Sequence, residues 1–179
     1  MSFVTETNKK KKSEWLEWAK AILIAIVIGL LLQNFVMATS VVEGESMDPT
    51  LEDGERVIFN KFIYLIDSPE RGDIVIIQHP SKNYVKRVIG LPGETIEMQN
   101  HILYIDDQEV AQDFIGNEAI NSTGNFGPIH IPEDSYFVMG DNRAKSRDSR
   151  NGLGLIKEED IIGRSELIYY PFDQWGLTR

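Results

Sequence analysis

An apolar segment near the N-terminus constrains the fold of this chain more than any other feature of its sequence. Four consecutive lysines, residues 9–12, precede an uninterrupted apolar run from Ala21 to Leu32, and the run resumes after two polar residues and extends to Ala38. As a helix, this segment would span roughly 27 Å at ~1.5 Å per residue, close to the ~30 Å core of a bilayer. The sequence therefore predicts a transmembrane anchor over residues 19–38, preceded by a basic cytoplasmic segment over residues 1–18.

The residues that flank the apolar run predict its orientation. Trp15 and Trp18 suit the headgroup layer, and the lysines favour a cytoplasmic N-terminus, which would place residues 39–179 outside the cell. A cleaved secretory signal is the alternative, because the uninterrupted run is short and Val36-Met37-Ala38 resembles a cleavage site. Both interpretations place the remainder of the chain outside the cell. The transmembrane anchor also makes the lipid bilayer a partner.

The charge distribution limits the function of the exported part. The chain has 179 residues and a net charge of −10, and because residues 1–38 carry +2, residues 39–179 carry −12. A domain this acidic offers no basic surface that could neutralise the phosphates of a nucleic acid, which argues against a nucleic-acid partner. The chain also has no cysteine, which excludes a disulfide scaffold, thiolate metal sites and a cysteine nucleophile.

After Ala38 the sequence changes to short β-branched and aromatic runs separated by Gly, Pro, Asn and Asp, a pattern typical of strands and turns. Seven such runs are predicted strands: 56–60, 73–78, 84–90, 94–98, 101–105, 136–139 and 166–170. Asp106-Asp107 predicts a hairpin turn into a further strand at Glu109-Val110. We expect an irregular excursion over residues 111–128 and a short helix over residues 157–162. Residues 39–179 are thus predicted to form one β-rich domain.

A serine on a predicted loop is a candidate nucleophile. Ser46 lies between Gly44 and Pro49, in a segment of turn-forming residues, although a surface turn serine is the alternative. A serine hydroxyl needs a base before it can attack a carbonyl carbon. The three histidines lie in no motif that would place one beside Ser46, and we expect them at the surface or at strand edges: His79, His101 and His130.

Lys86 is a second candidate for the base. The alternation of a strand over residues 84–90 places Tyr84, Lys86 and Val88 on one face and Arg87 on the other. One of the two basic residues must then point into the fold or along an apolar surface. Burial lowers the pKa of a lysine, and a neutral amine beside Ser46 could accept its hydroxyl proton. A solvent-facing lysine on an edge strand is the alternative that alternation leaves open.

The densest polar cluster of the sequence is at residues 140–150. Gly140-Asp141-Asn142-Arg143 is followed by Ser146 and by residues 148–150, which read Asp-Ser-Arg. Locally the cluster is typical of a long Asx-type turn with a charge pair. The functional interpretation is that its hydroxyls and carboxylates orient the amine of a base.

Together these segments resemble the type I signal peptidases, particularly the single-anchor form of Gram-positive bacteria. The resemblance covers nearly the whole chain and follows the family's motif order: the basic apolar N-terminus, 44–51 (GESMDPTL), 71–75 (RGDIV), 84–93 (YVKRVIGLPG), 140–143 (GDNR), Ser146 and 148–150 (DSR). It implies a membrane-anchored serine endopeptidase that removes signal peptides from exported preproteins, cleaving after Ala at −1 with a small residue at −3. The fold it implies is an antiparallel, coiled and partly barrel-like β domain, shared with the self-cleaving SOS repressors.

The resemblance also implies roles for individual residues. Ser46 matches the nucleophile, Lys86 the general base, and Ser146 the serine that hydrogen-bonds the lysine amine. Other positions match residues that brace the site or lie beside the substrate groove: Arg87, Asp141, Arg143, Asp148 and Arg150 as braces, and Met47 at the groove. No cofactor and no metal ion is implied.

One position departs from the Gram-negative pattern. Those members carry a serine two residues before the nucleophile that helps to form the oxyanion hole, and this chain has Gly44 there. The backbone N–H of Ser46 is then one expected donor, and the second donor stays open.

Two other functions are compatible with parts of the pattern. A non-catalytic anchored β module that binds exported or envelope proteins would need no serine and lysine in register. A self-cleaving Ser-Lys peptidase would need a scissile Ala-Gly-like bond in an independent N-terminal domain, and the sequence shows none; Val36-Met37-Ala38 is a conceivable self-processing site that we do not favour.

Overall fold

The structure is a computed structural model that describes the backbone of residues 5–178 and the side chains of residues 14–30 and 37–178. The chain divides into two compact units, Met1–Met37 and Ala38–Arg179. Residues 1–4 and the side chains of the lysine run, both part of the predicted cytoplasmic segment, lie outside the described residues.

The first unit is formed by one long helix, α1, Thr5–Val36. Its apolar side chains are exposed at successive positions, with Ile22, Leu23 and Ile24 each more than half accessible. Successive helical positions point in different directions, so the helix presents apolar surface on several sides. Within the described residues, no helix combines the length and the hydropathy of a membrane span. The helix ends two residues before the end predicted for the anchor, at Ala38, because a strand begins at Met37.

Twelve strands follow within residues 37–178: β1 Met37–Val41, β2 Arg56–Asn60, β3 Ile74–Ile77, β4 Tyr84–Gly90, β5 Thr95–Gln99, β6 Ile102–Ile105, β7 Gln108–Val110, β8 Phe126–His130, β9 Ser135–Met139, β10 Ile156–Lys157, β11 Ile161–Tyr170 and β12 Gly176–Leu177. One further helix, α2, Asn117–Asn121, precedes β8. The protein is therefore mainly β after α1, as predicted.

The strands form two sheets. The larger is a curled sheet in the order β1-β2-β11-β3-β4-β9-β10, with β12 paired to β11, and the smaller has the order β7-β6-β5-β8. The strand pairs with a described register are antiparallel. The two sheets meet around a buried apolar cluster that includes Ile89, Ile96, Leu103 and Phe137. This architecture is the expected antiparallel, partly barrel-like β structure.

A separate apolar cluster fixes the loop that carries Ser46. Met47 and Leu51 are 1% and 0% exposed and pack with Val57, Ile74 and other buried side chains of the larger sheet. Because the residue after Ser46 is anchored in the core, the loop cannot move freely over the sheet. The core thus holds the serine at a defined place above the strands.

Most of the predicted elements are present. Each of the seven predicted strands is found: two have the predicted ends, four have ends shifted by one residue, and β11 begins at Ile161 rather than at residue 166. Asp106 and Asp107 both adopt positive φ, 48° and 63°, in the tight turn between β6 and β7. A hairpin turn of this kind needs two left-handed residues, a conformation that Asp tolerates.

Two local predictions are wrong. The helix expected over residues 157–162 is a single 3-10 turn, Glu158–Asp160, between β10 and β11. Ile161 and Gly163 are buried on one side of β11, so packing onto the sheet prevails over the helical tendency of the preceding acidic residues. The segment 111–128, expected to be irregular, contains α2 and the start of β8.

Candidate active site

Ser46 and Lys86 meet above the larger sheet. Lys86 Nζ lies 2.6 Å from Ser46 Oγ and 2.8 Å from the Val85 carbonyl oxygen. Lys86 stands on β4 opposite Val75 of β3, and its side chain is 2% exposed, whereas Ser46 is half-buried. The strand therefore presents a buried amine to the hydroxyl of a loop 40 residues away in sequence.

Burial sets the protonation of this amine. The pKa of Lys86 is lowered to about 8, mainly by the loss of solvent and to a lesser extent by the positive charge of Lys82, whereas the negative charges of Asp148 and Asp141 oppose the shift. An ammonium ion loses more solvation energy on burial than a neutral amine, which is the cause of the main effect. A substantial fraction of the protein therefore carries a neutral amine beside Ser46 at mildly alkaline pH.

Arg87, the neighbour of Lys86, is also buried, at 4% exposure. Strand alternation requires only one of the two to point inward, and the structure buries both because each side of β4 is covered. Arg87 Nε and Nη2 donate to the two carboxylate oxygens of Asp141 at 2.8 and 2.6 Å, and Nη1 donates to the Gly72 carbonyl at 2.7 Å. Thr50 Oγ1 donates to Asp141 at 2.6 Å. This ion pair links β4, the Ser46 loop and the 140–150 segment.

A second buried ion pair lies within the 140–150 segment. Arg150 Nε and Nη2 donate to the carboxylate oxygens of Asp148 at 2.9 and 2.8 Å, and the Gly140 amide donates to Asp148 at 3.0 Å. Burial opposes ionisation of Asp148, but the hydrogen bonds and charge of Arg150 lower its pKa overall. Asp141 and Asp148 are thus both paired with arginines. The hydrogen-bond partners of Lys86 Nζ are instead the Ser46 hydroxyl and the Val85 carbonyl.

Gly140 lies at the contact between the Ser46 loop and Ser146. A Cβ at this position would stand 2.2 Å from the Ser46 carbonyl oxygen and 2.3 Å from Ser146 Oγ, distances that no side chain tolerates. The Asn142 amide donates to the same Ser46 carbonyl at 3.2 Å. Glycine is therefore required for the 140–150 segment to pack against the nucleophile loop.

Ser146 lies in the predicted neighbourhood but without the predicted hydrogen bond. Its side chain is 2% exposed, and its Oγ makes no hydrogen bond to Lys86; it lies instead close enough to Asp148 to help lower the pKa of that carboxylate. The implied positioning role thus stays a prediction. Met47, implied to lie beside the groove, is almost wholly buried yet lines the cavity next to Ser46.

Two polar residues in this region were not assigned roles from the sequence. Thr50 is part of the 44–51 motif, so its position there was the available signal. Gln112 accepts a hydrogen bond from Arg143 Nη1 at 2.8 Å, and no sequence signal in the 111–128 segment indicated this contact. Arg143 itself is buried, which lowers its pKa to about 10.

Two cavities meet at Ser46. The strand pocket, about 330 Å³, is lined by residues 39–43, 46–47 and 82–86. The polar pocket, about 630 Å³, shares Glu43, Ser46, Lys82, Tyr84 and Lys86 with it and adds Gly44, Glu45, Asp53, Lys145 and Arg147. The histidines are not among the residues that line either pocket, and all three are exposed, as expected: His79, His101 and His130.

The strand pocket lies between two free strand edges. β1 is the terminal strand of the larger sheet. β4 pairs with β9 from Arg87 onward, so residues 84–86 have no β9 partner in the described register. Unpaired strand edges bind extended peptides through main-chain hydrogen bonds. The arrangement can therefore align a peptide past a hydroxyl and a neutral amine.

Comparison with known proteins identifies relatives over most of the chain. The family described as signal peptidase, peptidase S26, matches residues 15–170. Signal peptidase I P of Bacillus subtilis subsp. natto is 51% identical over 91% of this chain and 92% of its own. Signal peptidase I T of Bacillus subtilis (strain 168) is 46% identical over 97% and 95%. The crystal structure of a signal peptidase I from Enterococcus faecalis V583 superposes with a TM-score of 0.50 at 34% identity, covering 55% of this chain and 97% of that one.

Proposed function

The chain belongs to the signal peptidase family, peptidase S26, and removes signal peptides from preproteins, and we propose that Ser46 is the nucleophile and Lys86 the general base of this reaction. The observation that carries the proposal is the 2.6 Å approach of a buried lysine amine to the serine hydroxyl. A lysine can act as a base near neutral pH only if its pKa is lowered, and burial supplies this shift.

In the first half of the reaction, neutral Lys86 accepts the hydroxyl proton as Ser46 Oγ attacks the carbonyl carbon of the −1 residue. The C–O bond forms, and the tetrahedral intermediate collapses when its C–N bond breaks. Lys86 returns the proton to the departing nitrogen, which becomes the N-terminus of the mature chain. The signal peptide is left as an ester on Ser46.

In the second half, a water molecule replaces the departed amine. Lys86, again neutral, takes a proton from this water, whose oxygen attacks the ester carbonyl. The ester C–O bond breaks, and the proton passes to Ser46 Oγ. The signal peptide leaves with a free carboxylate, and the site is restored.

The residues around the dyad suit supporting roles. The Arg87–Asp141 and Arg150–Asp148 pairs hold β4, the nucleophile loop and the 140–150 segment together. In this proposal Ser146 positions the lysine amine during the reaction.

The oxyanion needs donors of its own. We assign the backbone N–H of Ser46 as one donor. The Gly44 N–H already donates to Asp53 Oδ1 at 2.6 Å, so it is not our choice for the second.

The preprotein binds in the strand pocket as an extended chain. Main-chain hydrogen bonds to β1 and to residues 84–86 would fix its direction, and Val42, Met47 and Val85 supply apolar wall for small side chains at −1 and −3. A small cavity accepts Ala and excludes larger side chains by volume.

Membrane anchoring completes the proposal. We assign residues 1–18 to the cytoplasm, residues 19–38 to a single membrane anchor and residues 39–179 to an extracytoplasmic catalytic domain. Support comes from the apolar surface that α1 exposes on several sides and from the lysines that precede it. Such an anchor would hold Ser46 near the membrane in which the signal peptide lies.

The test is cleavage of a purified preprotein followed by sequencing of the product's N-terminus. Wild-type protein should release the mature chain after a small residue, whereas Ser46→Ala and Lys86→Ala should leave the preprotein intact. Lys157→Ala, an exposed lysine on β10, is the control and should cleave normally. An intact preprotein with wild-type protein would instead favour the non-catalytic binding module.

A further inference from the structure

We infer that the polar pocket binds the first residues of the mature chain and that Arg147 selects an acidic side chain there. This inference rests on the proposed function. The two pockets meet at Ser46, so a chain whose scissile carbonyl lies at Oγ must occupy both. The signal peptide fills one pocket, and the residues after the cleaved bond fill the other.

The residues that line the two pockets indicate which pocket binds the signal peptide and which binds the mature chain. Small apolar side chains at −1 and −3 need apolar wall, and the strand pocket provides Val42, Met47 and Val85. The polar pocket has no aliphatic side chain among its described lining residues, and seven of the ten are charged, which suits the polar residues of a soluble mature chain. The polar pocket therefore binds the first residues of the mature chain.

The charges of the polar pocket are mostly neutralised within it. Lys145 Nζ is paired with Glu45 across the pocket, and Asp53 accepts a hydrogen bond from the Gly44 amide. Glu43 and Lys82 line both pockets, so their opposite charges offset each other where the pockets meet. Apart from Arg147, the lining therefore carries three carboxylates, Glu43, Glu45 and Asp53, against three lysines, Lys82, Lys86 and Lys145, which leaves little net charge for a peptide to contact.

Arg147 is the exception. Its guanidinium donates through Nη2 to the Gly152 carbonyl at 3.2 Å, and among the described residues no carboxylate lies within ion-pair distance of it. A guanidinium has five N–H donors and binds carboxylates in a bidentate fork. An Asp or Glu early in the mature chain is the ligand that this group fits, and a Lys or Arg there is repelled.

The experiment measures kcat/KM for peptides that share one signal sequence and differ only in the mature part. A neutral peptide carries Gln at +1, +2 and +3, and two further series place a single Glu or a single Lys at each of these positions. Wild-type protein should cleave the best Glu peptide about twofold to fivefold faster than its Lys counterpart, the range of one exposed ion pair. Raising the salt from about 50 mM to about 0.5 M should reduce this ratio.

Two variants identify the residue responsible. Arg147→Gln should bring the Glu/Lys ratio close to one, and Arg147→Glu should invert it. The ratio is taken within each variant, so a general loss of activity cancels, and a merely structural role of Arg147 would not invert it. Lys157→Glu makes the same change of net charge on β10, lines neither pocket, and should leave the ratio unchanged.

The outcomes separate this inference from the proposed function. If wild-type protein cleaves the neutral peptide and Ser46→Ala does not, the proposed function stands whatever the charge series shows. Equal rates for the Glu and Lys peptides, or an acidic preference that persists in Arg147→Glu, would overturn the inference alone. Failure to cleave the neutral peptide would overturn both.

Discussion

Lys86 Nζ stands 2.6 Å from Ser46 Oγ, and neither of the two buried carboxylates nearby binds it, because each is held by an arginine. A direct ion pair would stabilise the charged amine and raise its pKa. By engaging Asp141 with Arg87 and Asp148 with Arg150, the fold keeps the lysine close to a neutral base.

The first prediction concerns pH. Because a lysine base acts in its neutral form, kcat/KM for a peptide substrate should rise with pH and reach half its maximum near pH 8, the value to which burial brings the pKa of Lys86. The measurement is a pH–rate profile between pH 6 and 10, with Lys157→Ala as a control that should give the same midpoint. A rate that does not vary with pH over this range would exclude Lys86 as the base.

The second prediction is that Lys86→Met abolishes cleavage but stabilises the fold near neutral pH. The pKa of Lys86 falls from 10.5 to about 8 on folding, so below pH 8 the native protein carries a buried ammonium at an energetic cost. Met fills a similar volume without charge, and we expect a gain on the order of 1–3 kcal/mol. Urea unfolding at pH 7 measures the difference.

The pH dependence of that gain is a further check. Between pH 8 and 10.5 the unfolded chain keeps a proton that the native state has lost, so the wild-type protein gains stability as pH rises through this window. The advantage of Lys86→Met should shrink accordingly and be small above pH 10.5. Arg87→Met is the matched control on the same strand: it leaves Asp141 buried without its partner and should lose about 3–5 kcal/mol. Equal destabilisation by both variants would contradict the argument.

The sequence predicts β4 and the burial of a basic residue there, because strand alternation is local. It does not predict that Lys86 and Arg87 are both buried, since this depends on what covers each face of the strand. The helix expected at residues 157–162 fails for a similar reason. Local acidic residues favour a helical turn, but the buried side of β11 extends the strand back to Ile161.

The candidate site shows the same limit at longer range. Nothing in periodicity or composition brings Ser46, Lys86 and Asp141 together, because they lie on separate segments of the chain; the resemblance to a family supplied that expectation. The Arg150–Asp148 pair joins residues two apart and fits the local charge pair expected in this segment, but three contacts depend on tertiary packing: Arg87 with Asp141, Thr50 with Asp141, and Gln112 with Arg143. A single sequence contains no signal for such contacts.

The third prediction concerns Gly140. Gly140→Ala would place a Cβ within 2.3 Å of both the Ser46 carbonyl oxygen and Ser146 Oγ, so the nucleophile loop or the 140–150 segment must shift. We expect a loss of about 1–3 kcal/mol in unfolding free energy and a fall in kcat of about 10²-fold, the effect of a misplacement of roughly 1 Å. Gly116→Ala, where a Cβ meets nothing within 4 Å, should change neither quantity much. Normal activity in Gly140→Ala would mean that this contact does not position Ser46.

The fourth prediction separates a positioning role of Ser146 from a structural one. Its hydroxyl is buried and makes no hydrogen bond to Lys86, and Asp148 beside it is already held by Arg150, so Ser146→Ala should change the unfolding free energy by less than about 1 kcal/mol. If the hydroxyl turns to the amine of Lys86 during the reaction, the same substitution should reduce kcat by about 10²-fold and move the midpoint of the pH–rate profile. Ser165→Ala is the matched control, because Ser165 on β11 is equally buried and its hydroxyl makes no hydrogen bond among the described residues. It should resemble Ser146→Ala in stability and wild-type protein in activity. Loss of stability without a shift in the pH profile would assign Ser146 to packing rather than to catalysis.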